Sequence, residues 1–205
     1  MSIDDVDQPQ PAATEVLIKI EAAGINYIDT YQRSGLYQIP LPTTLGLEAS
    51  GTVEGIGSDV SRFKIGDRVA YTNVLGAYAE YSTVDQNKVV ALPDGVSFNE
   101  GAAAMLQGCT AHYLSQSTYP IKKGDSCLIH AAAGGVGLIL TQMAKNAGAY
   151  VIGTVSTPEK AELARSAGAD EVILYSQTDF ETEVKRITEG AGVNVVYDSV
   201  GKTTF

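Results

Sequence analysis

Glu15-Val16-Leu17-Ile18-Lys19-Ile20-Glu21 alternates apolar and polar residues well enough to be a strand, around a continuous apolar stretch at 16–18. Similar short runs recur over 48–57, 68–71, 77–84 and 88–92, broken by turns at Gly57-Ser58-Asp59 and Gly66-Asp67. Gly24-Ile25-Asn26-Tyr27 turns out of the first run, and Tyr27–Ser34 has the spacing of a short helix ended by Gly35. Pro40 and Pro42 mark an extended loop. Residues 14–95 therefore read as a small β-rich domain behind a polar lead-in over 1–13. Pro93-Asp94-Gly95 is a turn, Ser97 with Glu100 forms a capping-box pattern, and a second helix is expected over 107–117. Residues 96–125 make a helical connection.

Beyond Asp125 the texture changes to strands alternating with helices. Strands are expected at 126–131, 150–155, 171–175 and 193–198, with helices at 136–147, 158–167 and 179–189. This order predicts a parallel sheet with helices on both faces over residues 126–205. Its first strand, Cys127-Leu128-Ile129-His130, runs into Ala131-Ala132-Ala133-Gly134-Gly135-Val136-Gly137 and then into helical spacing. Strand, glycine turn and helix open a dinucleotide-binding βαβ unit. Ala132, Gly134 and Gly137 fill the three small positions of G-x-G-x-x-G, with alanine in the first. A diphosphate reaches the N–H groups of a helix N-terminus only where no side chain stands in the way.

The second strand of that unit ends in Ser156-Thr157-Pro158-Glu159-Lys160. NAD-binding units place a carboxylate near this point for the ribose 2′-hydroxyl. Here a hydroxyl and a positive charge replace it, a pair that accepts a 2′-phosphate, so NADPH is preferred to NADH. The alternative is that Ser156 caps the following helix and Lys160 lies on its solvated face.

Composition narrows the classes. Hydrophobic residues make up 44% and charged residues 19%, the balance of a globular chain, and the net charge is −10. That charge repels phosphate backbones, which makes nucleic acid an unlikely partner. Cys109 and Cys127 are the only cysteines, too few for a disulfide framework or a cysteine zinc site, and they fit a reducing, cytoplasmic setting. The lead-in has the character of neither a secretory nor a mitochondrial leader. The uncharged stretch 126–144 is read as strand, turn and helix, not as a membrane span.

Six blocks carry a family resemblance: GINYIDTYQRSGLY (24–37), LGLEASGTVEGIG (45–57), GDRVAY (66–71), GAYAEY (76–81), HAAAGGVG (130–137) and VVYDSVG (195–201). Together they resemble the zeta-crystallin-like quinone oxidoreductases of the medium-chain dehydrogenase/reductase superfamily. The resemblance implies a GroES-like β-rich catalytic domain followed by a Rossmann parallel sheet, with NADPH and substrate in the cleft between them. Zinc-dependent relatives carry a cysteine after the first strand and a Gly-His-Glu in the next block. This chain has Gly24-Ile25-Asn26-Tyr27 and Gly46-Leu47-Glu48 there, so no metal is expected and Glu48 is read as a structural carboxylate.

The resemblance also implies roles. Asn26, Tyr31 and Tyr37 match the nicotinamide side; Gly134, Gly135, Val136 and Gly137 match the pyrophosphate loop. Ser156, Lys160 and Tyr175 match the 2′-phosphate and adenosine end, and Gln107 and Thr110 lie on the domain-linking helix. For the tyrosines, packing is the alternative, and for Gln107 capping of a backbone group. His112 and His130 lack triad partners and read as structural. The implied reaction is hydride transfer to a quinone or conjugated enone, with Tyr31 or Tyr37 as candidate catalytic donor to the developing oxygen. Family members begin with a β-hairpin and complete six Rossmann strands, whereas this sequence holds strands one to four. A truncated form is thus expected, with either residual activity or a role as an association partner of full-length relatives or of itself. RNA binding is a more distant alternative.

Overall fold

In the computed structural model, which describes residues 1–205, the first alternating run becomes β1 (Glu15–Ala23), with Val16, Leu17 and Ile18 buried. It pairs antiparallel with β2 (Glu48–Ile56) on one side and β4 (Tyr81–Asp85) on the other. β3 (Arg68–Thr72) and β5 (Val89–Ala91) extend the sheet to the order β4-β1-β2-β3-β5. Val16, Ile18, Val53, Val69, Tyr71, Val84 and Val89 form its core, the β-branched and aromatic types that pack well on a pleated surface. The strand expected from residue 77 starts only at Tyr81. Ala77 and Tyr78 instead donate their N–H groups to Gly46 O (3.2 Å) and Leu45 O (2.9 Å), which ties two loops together.

Helix α1 (Tyr27–Ser34) starts at Asn26, whose N–H donates to Asp29 Oδ2 at 2.8 Å, and it ends at Gly35 in the left-handed region. Helix α2 (Phe98–Tyr113) opens on the expected box: Glu100 N–H donates to Ser97 Oγ (3.2 Å), and Ser97 N–H to Glu100 Oε2 (2.8 Å). No separate helix begins at Gln107. The glycines at 101 and 108 weaken helical propensity by about 1 kcal/mol each, yet α2 runs through both and continues as a π-helical segment over Leu114–Thr118. Tertiary contact decides against the propensity: a Cβ on Gly101 would lie 2.6 Å from Leu92 Cδ1, so a small residue is what lets α2 seat there.

Near the middle of α2, a side chain enters from outside. Glu48, the first residue of β2, is fully buried; its Oε2 accepts from Leu106 N–H at 2.6 Å and its Oε1 from Asn26 Nδ2 at 2.7 Å. One carboxylate thus ties the first sheet to α1 and to α2. The chain divides into two units at this point, residues 1–106 and 107–205.

The second unit carries β6 (Ser126–Ile129), α3 (Gly135–Asn146), β7 (Tyr150–Val155), α4 (Pro158–Ser166), β8 (Glu171–Leu174), α5 (Phe180–Ile187) and β9 (Val195–Tyr197). Its strands are parallel in the order β8-β7-β6-β9. Cys127, Ile129 and Val151 pack with Leu140 and Ala144 of α3 and Ala161 and Ala164 of α4 on one face. Leu128, Ile152 and Ile173 pack with Val184 of α5 on the other. Both faces being covered explains why β6 is apolar without alternation. No helix is long and apolar enough to cross a membrane.

Burial holds the Glu48 carboxyl above its ordinary value near 4.5, with Asp29 adding repulsion, against the opposing hydrogen bonds from Leu106 and Asn26. The stability linked to this titration is therefore fully present below about pH 4.5 and declines as pH rises through the raised value. Glu48→Gln is expected to flatten that part of the pH–stability curve, measured by urea denaturation followed by circular dichroism. Glu48→Ala withdraws both acceptors and is expected to cost about 2–4 kcal/mol in the same assay; a midpoint equal to that of the wild type would contradict the role given to this carboxylate.

Candidate functional site

The C-terminal ends of β6, β7 and β8 gather the nucleotide candidates of the second unit, where an open parallel sheet binds its ligands. After β6 the chain turns through Ala131, a non-glycine residue at φ +52°, and enters α3 at Gly134. The first helical bond is Leu138 N–H to Gly134 O (2.9 Å), so the amides of Gly135, Val136 and Gly137 lie ahead of it at the positive end of the helix.

The glycines in this loop serve space, not backbone twist, since the left-handed position is taken by Ala131. A Cβ on Gly137 would stand 2.4 Å from Ala131 O and 2.8 Å from Ala132 Cα, so α3 could not seat against the turn. A Cβ on Gly135 would stand 2.0 Å from Gln107 Oε1, which places the Gln107 amide directly on the loop. Alanine at the first fingerprint position has its own compensation: Gly153 on β7 lies opposite Ala132, and a Cβ there would come within 2.8 Å of the Ala132 methyl. Thr110 lies one turn beyond Gln107 on α2, half-buried.

At the end of β7 the capping role falls to Thr157, not to Ser156: Thr157 Oγ1 accepts from Lys160 N–H at 3.3 Å, and Pro158 opens the helix. Ser156 Oγ is left to meet Lys160 Nζ at 3.3 Å. Tyr175, just past β8, is exposed and donates its N–H to Val155 O (3.1 Å), and Ser176 Oγ donates to Ser156 O (2.8 Å). Ser156, Lys160 and Tyr175 thus form one corner, with a hydroxyl, an ammonium group and an aromatic ring on the surface. Below the loop His130 is buried; its Nδ1 lies 2.9 Å from Thr154 Oγ1, its ring meets Phe180 edge-on, and burial lowers its pKa although Asp198 opposes this. Thr154 O also accepts from Ala132 N–H (3.1 Å), so the same residue braces both the strand end and the turn.

In the first unit, Asn26, Tyr31 and Tyr37 lie on α1 and its flanks. Tyr31 is half-buried and Tyr37 exposed, their ring centroids 5.3 Å apart. Asn26 is buried with its amide on Glu48. Asp29 Oδ2 also accepts from Tyr78 OH at 2.6 Å, and burial together with this carboxylate drives the Tyr78 pKa far up. Tyr78 was not among the expected residues, since no local pattern links it to position 29. The Asn26-x-x-Asp29 spacing, itself a helix-start pattern, is the signal that would have singled out Asp29. No three His, Cys, Asp or Glu side chains come together as a metal-holding group, and the Glu48 oxygens are both engaged. This donor set does not fit zinc.

Comparison with known proteins agrees with this layout. Residues 12–94 match the family model described as alcohol dehydrogenase GroES-like domain, and residues 135–205 the one described as zinc-binding dehydrogenase. A β-rich GroES-like unit followed by a Rossmann-type parallel sheet defines a medium-chain dehydrogenase/reductase. The chain is 52% identical to the quinone oxidoreductase of Pseudomonas aeruginosa, over 98% of its own length and 62% of that protein's. It is 43% identical to the 2-haloacrylate reductase of a Burkholderia species, with coverage of 98% and 62%. The crystal structure of Escherichia coli quinone oxidoreductase complexed with NADPH superimposes with a TM-score of 0.96 at 48% identity, covering 98% of this chain and 62% of that one. The chain carries the two domain types of the medium-chain dehydrogenase/reductase superfamily and is a homologue of its quinone oxidoreductases. It spans about three-fifths of the length of these relatives.

The two loop glycines should respond differently to alanine. Gly137→Ala meets backbone and is expected to cost about 1–3 kcal/mol by overpacking, read as a lowered urea midpoint. Gly135→Ala meets only the movable Gln107 amide, so its midpoint should stay near that of the wild type while its affinity for a dinucleotide falls, measured by nucleotide fluorescence. Equal loss of stability in the two variants would refute the distinction.

Proposed function

We propose that the chain binds NADPH through its second unit and belongs to a metal-free reductase of quinones or conjugated enones. The observation that carries this reading is the corner at the end of β7, where Ser156 and Lys160 meet at 3.3 Å and the residue at the strand end itself carries a hydroxyl, not a carboxylate. Lys160 would pair with a 2′-phosphate, Ser156 would donate to it, and Tyr175 offers a surface for the adenine. The Gly135, Val136 and Gly137 amides would receive the pyrophosphate at the positive end of α3, with Gln107 and Thr110 beside it. The NADPH-bound Escherichia coli relative supports the same choice of nucleotide.

When bound, NADPH supplies a hydride from nicotinamide C4, and with one proton from solvent a quinone becomes the quinol while NADPH becomes NADP⁺. Asn26, Tyr31 and Tyr37 of the first unit are proposed to line that end. A quinol oxygen is a comparatively stable anion, so orientation outweighs acid–base help. Tyr31 and Tyr37 hydroxyls are the candidate donors to it. The names of the relatives, a quinone oxidoreductase and a 2-haloacrylate reductase, support an electron-poor conjugated acceptor. We place this activity in the cytoplasm, a setting that suits the exposed, unpaired thiol of Cys109.

Lys160→Glu is expected to weaken NADPH by at least about tenfold, the value of one charge-assisted contact, and to leave NADH affinity unchanged, as read by nucleotide fluorescence titration. Equal effects on both nucleotides would remove Lys160 from the 2′-phosphate. For the acceptor end, NADPH oxidation with a small quinone should fall by about 10²-fold or more in the Tyr31→Phe, Tyr37→Phe double variant if a phenol donates to the oxygen. Unchanged turnover in that variant rules out a tyrosine donor.

A further inference from the structure

His130 follows β6 and is 4% exposed, with Nδ1 2.9 Å from Thr154 Oγ1 and Nε2 buried without a partner. A buried polar atom left unbonded is a net cost, so an apolar side chain would be cheaper here. The position of the ring in the sheet gives the imidazole a use. The strand order β8-β7-β6-β9 places the switch point between β6 and β9, with α3 and α4 packed on one face and α5 on the other. An open parallel sheet takes its ligand in the crevice outside that point. His130 stands at the end of β6 and Asp198 at the end of β9, and His130 N–H donates to Tyr197 O at 3.0 Å between them.

Opposing influences meet at this ring. Burial keeps it neutral, and the positive head of α3, a few residues further on, also opposes a charge there. Asp198 favours the charge. Its Oδ1 accepts from the N–H groups of Val200 (2.7 Å) and Gly201 (3.1 Å), and its Oδ2 from Thr204 Oγ1 (2.8 Å). Those bonds fix a carboxylate within electrostatic reach of the imidazole. From the other elements, β7 presents the Thr154 hydroxyl and α5 the Phe180 ring. The α5 carboxylates Asp179, Glu181 and Glu183 are bonded to Thr182, Lys185 and Arg186. A diphosphate on the amides of Gly135, Val136 and Gly137 would cancel the positive head of α3 and add negative charge, which tips the balance toward the imidazolium.

We propose that His130 is the proton-linked element of the nucleotide site: filling the anion position at the head of α3 draws a proton onto the buried imidazole, so the dinucleotide is held more tightly as the solution becomes more acidic. This rests on the reading that a dinucleotide diphosphate occupies that position. The coupling is reciprocal: the factor by which occupancy raises proton affinity at His130 is the factor by which protonation raises dinucleotide affinity. Thr154 joins the two events, because its hydroxyl meets the ring while its carbonyl accepts from Ala132 N–H in the loop turn.

His112 and His130 are the only histidines, so nuclear magnetic resonance can titrate the ring directly, with His112→Gln assigning the signal. NADP⁺ is the probe, since it carries the same diphosphate and withstands acid. The His130 midpoint should rise by about one pH unit on saturation with NADP⁺, a tenfold coupling. Between pH 8 and the midpoint of the free protein, calorimetric affinity for NADP⁺ should rise about fivefold more in the wild type than in His130→Asn. Asparagine keeps an amide for Thr154 and does not titrate, and the titration of the 2′-phosphate itself is common to both proteins. A midpoint unmoved by saturating NADP⁺, or a ring neutral throughout in both states, would overturn the proposal and leave the cofactor reading standing. Failure of NADP⁺ to bind at any pH would overturn both. Should His130→Asn fail to fold, the wild-type titration decides alone.

Discussion

A carboxylate with no exposed surface is costly unless its oxygens are fully engaged, and Glu48 is engaged on both. It stands at the start of β2, takes the Asn26 amide at the head of α1, and takes the Leu106 amide partway along α2. Three elements far apart in sequence meet at this one group. Asn26 in turn donates its backbone N–H to Asp29, and Asp29 accepts from Tyr78, so the network passes from the sheet through the helix to the loop ahead of β4. Removing charge or shape at its centre would disturb the tyrosine-bearing helix α1 as well as the sheet.

A different constraint governs the second unit. Around the turn after β6 the backbone and side chains are packed so closely that three glycines leave little room for a Cβ. Gly137 lies on the turn, Gly135 under Gln107, and Gly153 opposite Ala132. Crowding of this kind is the counterpart of access: the space denied to a Cβ is what brings backbone amides to the surface at the head of α3. The left-handed conformation at Ala131 belongs to the same economy, a locally unfavourable backbone held by Thr154, which accepts from Ala132 and meets His130.

The chemistry proposed for the chain asks little of either unit beyond placement. Hydride transfer to a conjugated acceptor needs no activated nucleophile, and the structure assembles none: His130 is buried with Thr154, and the Glu48 oxygens are occupied. What it offers are amides at a helix head, an ammonium–hydroxyl corner and a row of phenols. Those are binding and orienting groups.

Much of this was legible in the chain itself. The period-two run at 15–21, the capping pair Ser97 and Glu100, and the alternation of strand and helix beyond residue 125 set the elements, because each depends on residues a few positions apart. The fingerprint at 132–137 located the candidate nucleotide loop for the same reason. The sequence misled where distant contacts outweigh local preference. A helix start at Ser97 and Glu100 and a second helix from Gln107 were expected, but the chain runs on as one helix through Gly101, where a small residue lets it seat against Leu92. Ser156 was the cap candidate in the sequence, but the geometry assigns the cap to Thr157 and leaves Ser156 beside Lys160. Nor could spacing reveal that Tyr78 bonds to Asp29, or that Glu48 reaches Leu106, 58 residues away. Local periodicity and capping fix which elements form and in what order. Which buried polar atoms find one another, and which glycines are obligatory, is decided by the three-dimensional approach of segments whose separation along the chain carries no signal.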